Sequence, residues 1–142
     1  MRVMALDLGE KTIGIAVSDE LKMTAQGIKT MRRRGIKTDL AELGDLIHEF
    51  DVERLVVGMP RNMNGSYGPA AEKTQEFVAK LAVLNLPVEL VDERLTTRIA
   101  EQALIEGNVR RKKRRKVIDQ VAATLILQDY LGRQGRGAGE ED

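Results

Sequence analysis

Asp7, Glu93 and Asp119 are the residues of this chain best placed to do chemistry. Asp7 interrupts an apolar run, with Val3-Met4-Ala5-Leu6 before it and Leu8 after it. Glu93, beside Asp92, follows the apolar stretch that ends at Val91, and Asp119 opens the last segment of helical periodicity. In open α/β sheets, ligands gather at the carboxyl ends of the strands, and that rule collects Asp7 and Glu93 on one edge. Ala122 and Ala123 lie on the helix face of Asp119, and side chains so small let a helix come close to a sheet and bring Asp119 over that edge. Three ionised carboxylates so close repel one another, and divalent cations relieve the repulsion. Two such ions about 4 Å apart activate water and stabilise the leaving oxygen of a phosphodiester. The chemistry implied is metal-assisted hydrolysis, with Asp7 and Asp119 as ligands and Glu93 as a ligand or water-orienting base. Each carboxylate taken alone also reads as a turn residue or a helix cap. Adjacent strand residues face opposite ways, so Asp92 takes the role of Glu93 if it is Asp92 that points inward.

Composition narrows the choice. There is no cysteine, and His48, read as a surface residue, is the one histidine. Disulfides, thiolate chemistry, cysteine-based zinc sites and triads needing several imidazoles are thereby excluded. An oxygen-only ligand set favours Mg2+ or Mn2+, with two ions expected. Aromatic residues make up 3 %, too few for a base-stacking platform. The net charge of +1 hides a strong asymmetry: Arg110, Arg111, Lys112, Lys113, Arg114, Arg115 and Lys116 are consecutive, and Arg32 to Arg34 form a second cluster. The long run points to a polyanionic partner and is expected to supply affinity rather than chemistry, although a basic run alone also reads as a solvated loop. The shorter cluster reads as a solvated strand end. Lys11 and Arg61 are further candidate nucleic-acid contacts. Arg2 is charged and the apolar stretch after it is broken by Asp7 and Glu10, so no signal peptide is expected. No run approaches a membrane span, and a cytoplasmic protein without a membrane partner is the expectation.

The elements that must position these residues follow from periodicity. A length of 142 residues suits one compact domain, expected over 1–131, with a flexible tail over 132–142. Near-continuous apolar character predicts a buried strand over Arg2–Leu8, a tight turn at Gly9–Lys11 and a second strand over Thr12–Ser18. Gly27–Met31 reads as a third strand, antiparallel to its neighbour. Thr38 is expected to cap a helix carrying Leu40, Leu43, Ile47 and Phe50. Leu55–Val57 reads as a strand ending at Gly58-Met59-Pro60, Arg61–Gly68 as a loop, and Pro69 as the first turn of a helix with Ala70, Thr74, Phe77, Leu81 and Leu84 buried. Pro87–Val91 is another strand, and Thr96 or Thr97 caps a helix ending near Gly107. The basic run is read as a loop and Val117–Leu131 as the last helix. The second half has a βαβ pattern, whose strands are parallel. The fold class expected is α/β.

Four blocks resemble the YqgF/RuvX family, in its order and across roughly residues 1–131. They are Ala5-Leu6-Asp7-Leu8-Gly9 with Gly14-Ile15-Ala16-Val17-Ser18-Asp19; Val56-Val57-Gly58-Met59-Pro60 with Met63-Asn64-Gly65-Ser66 and Gly68-Pro69; Asp92-Glu93-Arg94-Leu95-Thr96-Thr97; and Asp119-Gln120-Val121-Ala122-Ala123. The resemblance implies an RNase H-like mixed five-stranded sheet of order 3-2-1-4-5 with helices on both faces, related to Holliday-junction resolvases. It implies maturation of the 5′ end of pre-16S rRNA in ribosome biogenesis. It makes Asp7, Glu93 and Asp119 the catalytic triad and Arg94 a phosphate contact. Family members often carry Lys-Arg where this chain has Lys11-Thr12, a departure that bears on a hairpin contact to nucleic acid and not on the metal site. In the implied order the strands carrying Asp7 and Glu93 are separated by one strand, about 9–10 Å in all. Three readings follow: an RNA-processing endonuclease acting on pre-rRNA; a resolvase of branched DNA with the same chemistry; and a non-catalytic nucleic-acid-binding module. A monomer or weak homodimer is expected, and a resolvase making two symmetric cuts needs the dimer. An actin-like ATPase fits poorly, because the chain is short for a second lobe and has no P-loop.

Overall fold

The computed structural model describes residues 1–60, 68–92 and 121–134. Strands β1 (Arg2–Leu8), β2 (Thr12–Ser18) and β3 (Ala25–Arg32) come first, then helix α1 (Ile36–Phe50), strand β4 (Val52–Met59) and helix α2 (Pro69–Lys80). A 3-10 turn, Leu81–Leu84, leads to strand β5 (Val88–Asp92). Residues 121–134 are helical and are called α3. The five strands form one sheet in the order β3-β2-β1-β4-β5. β2 pairs antiparallel with both β1 and β3, whereas β4 runs parallel to β1 and β5. This is the mixed sheet expected from the sequence, with β1 at its centre.

Alternation along the strands sorts the core into two layers. Met4 and Leu6 of β1, Ile13, Ile15 and Val17 of β2, and Leu55 and Val57 of β4 face one way, onto Leu43 and Leu46 of α1 and Phe77 of α2. Val3 and Ala5 of β1, Ala16 of β2, Val56 of β4 and Val91 of β5 face the other way, onto Ala123, Ile126, Leu127 and Tyr130 of α3. The spacing of those four α3 residues is one helix face. The second layer is the thinner one, because β1, β2 and α3 each place alanine in it. Ala122 and Ala123 are fully buried, so α3 lies close against the sheet. Arg54 of β4 ties that layer's rim together, with its guanidinium donating to Glu89 of β5 and to the Tyr130 hydroxyl of α3. Enlarging Ala123 to leucine should overpack this contact and lower stability by about 1–3 kcal/mol. Urea denaturation reads the effect, and an unchanged midpoint would show that α3 has room to spare.

Several boundaries differ from the sequence expectation. β3 is longer than Gly27–Met31 at both ends. Thr38 is not the cap of α1: the helix starts at Ile36, and its N-cap is Gly35 at φ 138, a conformation that side chains rarely adopt. Asp39 is buried in the first turn, and its carboxylate accepts the Arg34 N–H at 2.9 Å. In α2 the buried stripe is Ala71, Thr74 and Phe77, while Ala70 is exposed. α3 continues through Gly132 to residue 134, past the expected end at Leu131. The helix expected from Thr96 or Thr97 to Gly107, the basic loop and residues 61–67 of the expected loop lie outside the described residues.

Candidate active site

Asp7 is the penultimate residue of β1 and is 7 % exposed. Branched and apolar neighbours build the strand, and the side-chain period of two then sets where Asp7 points. It shares the face of Val3 and Ala5, beneath α3, at the carboxyl end of the central strand. Its partner across β1 and β2 is Gly14. Gly14 brings no side chain to the cross-strand position beside the carboxylate. A carboxylate taken out of water in this way is costly unless cations or hydrogen-bond donors compensate it.

The turn after β1 is tight. The Gly9 N–H donates to the Thr12 carbonyl at 2.8 Å, and a Cβ on Gly9 would stand 3.1 Å from that oxygen. The turn projects Lys11, exposed, at the same edge as Asp7. The Lys11 carbonyl accepts the Arg33 N–H at 2.8 Å, and the Arg33 guanidinium donates to the Gly9 carbonyl at 2.8 Å. The guanidinium carbon also stands 5.4 Å from the centre of the Phe77 ring, in cation–π geometry. Arg33 is therefore fixed against the turn, whereas the sequence reads Arg32 to Arg34 as one solvated cluster. No local pattern distinguishes Arg33 from its neighbours. Its position follows from the pairing of β3 with β2, a long-range contact.

Gly58 of β4 pairs with Val91 of β5, so the layer that holds Asp7 extends across β4 to the last turn of the pleat in β5. β5 ends at Asp92, in register with Met59. Of the candidate residues, the structure places Asp7 and Lys11 together at one edge. Glu93, Asp119, Arg61, Arg94 and Arg110 to Lys116 lie outside the described residues. Among the described residues, no three histidine, cysteine or acidic side chains gather as a metal site. No helix among them is long and apolar enough to cross a membrane.

Comparison with known proteins supplies the context for this edge. A family model described as "RuvX: Holliday junction resolvase" matches residues 1–133. A protein of Moorella thermoacetica named "Putative pre-16S rRNA nuclease" is 56 % identical over 137 residues, covering 96 % of this chain and 98 % of the relative. One of the same name from Heliobacterium modesticaldum is 49 % identical over 142 residues, covering 99 % and 95 %. Two solved structures share the fold at low identity. RuvC of T. thermophilus in complex with a Holliday junction substrate superposes with a TM-score of 0.57 at 16 % identity, over 95 % of this chain and 96 % of that one. The fowlpox virus resolvase in complex with Holliday junction DNA gives 0.56 at 12 % identity, over 94 % and 99 %. The sheet order, the helices on both faces and a match that spans nearly the whole sequence agree: this chain belongs to the RuvX family of Holliday junction resolvase-like nucleases, with an RNase H-like fold.

Proposed function

We propose that this nuclease hydrolyses phosphodiester bonds in RNA, that its substrate is the 5′ end of pre-16S rRNA, and that Asp7, Glu93 and Asp119 are its catalytic carboxylates. The observation that carries the reading is the buried carboxylate of Asp7 at the carboxyl end of the central strand, beneath a helix that approaches on alanines. The names of relatives at about half identity favour the RNA substrate. Spacing supports the other two acids. Glu93 follows Val91 by two residues, the interval that shares a strand face, and Val91 packs in the layer of Asp7. Asp119 precedes Ala123 by four residues, the interval that shares a helix face. The same spacing favours Glu93 over Asp92 as the inward acid.

The three acids offer only oxygen donors, which suits one or two Mg2+ or Mn2+ ions, and Asp7, Glu93 and Asp119 would hold them. A bound ion supplies activation of the attacking water and stabilisation of the leaving oxygen. The chain's own residues do the rest. Buried Asp7 presents its carboxylate at the reacting edge. Lys11, Arg61, Arg94 and the run Arg110–Lys116 meet phosphates and hold the strand in place. The protein works in the cytoplasm as a monomer or weak homodimer.

A second reading is favoured by the family description and by the resolvase fold: cleavage of four-way DNA by a two-fold dimer. Cleavage of a pre-16S 5′-end RNA and of a four-way DNA junction, at equal concentration with Mg2+, separates the two. The RNA reading predicts faster cutting of the RNA at one position. Paired symmetric cuts in the junction with the RNA left intact would replace it with the second reading.

A further inference from the structure

The edge that carries Asp7 has a second face. Leu8 follows Asp7 by about 3.3 Å of strand and points the opposite way, into a cleft of about 740 Å³ between the β1–β2 turn, the start of α1 and one side of α2. Leu8 and Phe77 form its apolar floor, and Lys11, Arg33, Lys73 and Lys80 supply its cations. This volume is far more than a packing void, and it falls within the range of pockets that hold a ligand of many atoms.

Its charges are arranged unevenly. Arg33 is held rigidly by the Gly9 carbonyl and the Phe77 ring. Lys11, Lys73 and Lys80 form no ion pair among the described residues, although Lys22, Lys29, Arg54 and Arg133 all do. Three acids also line the cleft. Of these, Asp39 is 2 % exposed and its carboxylate is turned to the Arg34 N–H, which leaves Glu10 and Glu76 at the rim. Lys73 and Lys80 lie seven residues apart on α2, two turns along one side, so they form a row leading away from Lys11 at the edge.

We propose that this cleft is a binding site for the phosphodiester backbone of the nucleic-acid strand flanking the cut, with Lys11, Arg33, Lys73 and Lys80 as its phosphate contacts. The proposal rests on the nuclease reading above. A strand cut over Asp7 crosses the sheet edge at Gly9–Lys11 and continues along the row of lysines on the α2 side. The fixed guanidinium of Arg33 marks the corner, and the flexible lysines follow the backbone without reading sequence. Phe77 is covered by Arg33 and buried, so the site takes phosphates and does not stack bases.

The test measures binding by the full chain in EDTA, which suppresses metal-dependent cutting, to labelled pre-16S 5′-end RNA with and without a flank. The flank is about eight nucleotides, within the usual span of single-strand sites. Wild type should bind the flanked RNA about tenfold more tightly, a preference worth roughly 1.4 kcal/mol. In the double variant Lys73→Glu/Lys80→Glu the ratio should fall to about one, and two lost contacts should flatten the salt slope by about 1.4. Lys73→Gln/Lys80→Gln should give an intermediate ratio. Lys22→Gln, at the far end of the sheet, should keep the full ratio. Both α2 lysines are exposed, so a thermal melt checks that the fold survives. A DNA flank of the same sequence should give the same gain, and a gain confined to RNA would overturn recognition through phosphates alone. A full ratio in the charge-reversed variant, or no flank preference in wild type that still cuts with Mg2+, would overturn the cleft and leave the nuclease reading standing. Neither binding nor cutting by wild type would overturn both.

Discussion

Asp7→Asn is expected to slow single-turnover cleavage by at least about a thousandfold, a barrier increase of roughly 4 kcal/mol. Asparagine keeps the shape of the side chain, so the pairing with Gly14 and the packing beneath α3 persist. It replaces the ionisable carboxylate with a neutral amide. An acid that served only as a turn residue would show the opposite pattern, with stability lost and cleavage kept. Here thermal stability should stay close to that of wild type, because asparagine fills the same space at this buried position. Cleavage within tenfold of wild type would remove Asp7 from the chemistry.

The second large effect concerns stability. Leu6 is fully buried in the central strand, one residue before Asp7 and on the opposite face, among Ile13, Ile15, Leu55 and Val57. Leu6→Ala should cost about 2–5 kcal/mol through lost burial and the cavity left behind. That is a large share of the roughly 5–15 kcal/mol available to a domain. The urea midpoint should fall accordingly. Leu90→Ala, at a half-exposed position in β5, should change stability by no more than about 0.5 kcal/mol. Equal losses at the two positions would mean that the two-layer core is wrongly assigned. Cleavage per folded molecule should survive Leu6→Ala, because the cavity opens on the face away from Asp7.

These two neighbours illustrate what could be read in the sequence. β1 and β2 were legible to the residue, because runs of branched and apolar side chains stop at Gly9 and Lys11 and leave no other pairing. The edge position of Asp7 followed from the same run. The start of α1 was not legible: a Ser/Thr cap was the expected signal, but Gly35 at positive φ starts the helix instead. The phase of α2 differs from the expectation at Ala70: Ala70 and Ala71 both stand at helical spacing from Thr74, and packing in the fold buries Ala71 instead. The extension of α3 through Gly132 ran against the usual stop signal; at an exposed position a helical glycine costs only about 1 kcal/mol. The placement of Asp7 and Lys11 at one edge could be read from strand and turn, while that of Arg33 could not. Its role is set by the β2–β3 register and by a ring more than forty residues away, and neither leaves a local pattern.

The proposed chemistry has buried Asp7 work with Glu93 and Asp119 through divalent cations on a phosphodiester. Its most direct test is the single-turnover cleavage rate of wild type on pre-16S 5′-end RNA with Mg2+, with Mn2+ and with EDTA. Cutting is expected with either metal, with a loss of about a thousandfold or more in EDTA, restored when excess Mg2+ is added back. Cutting that proceeds equally in EDTA, or no cutting with either metal while the RNA stays bound, would contradict it.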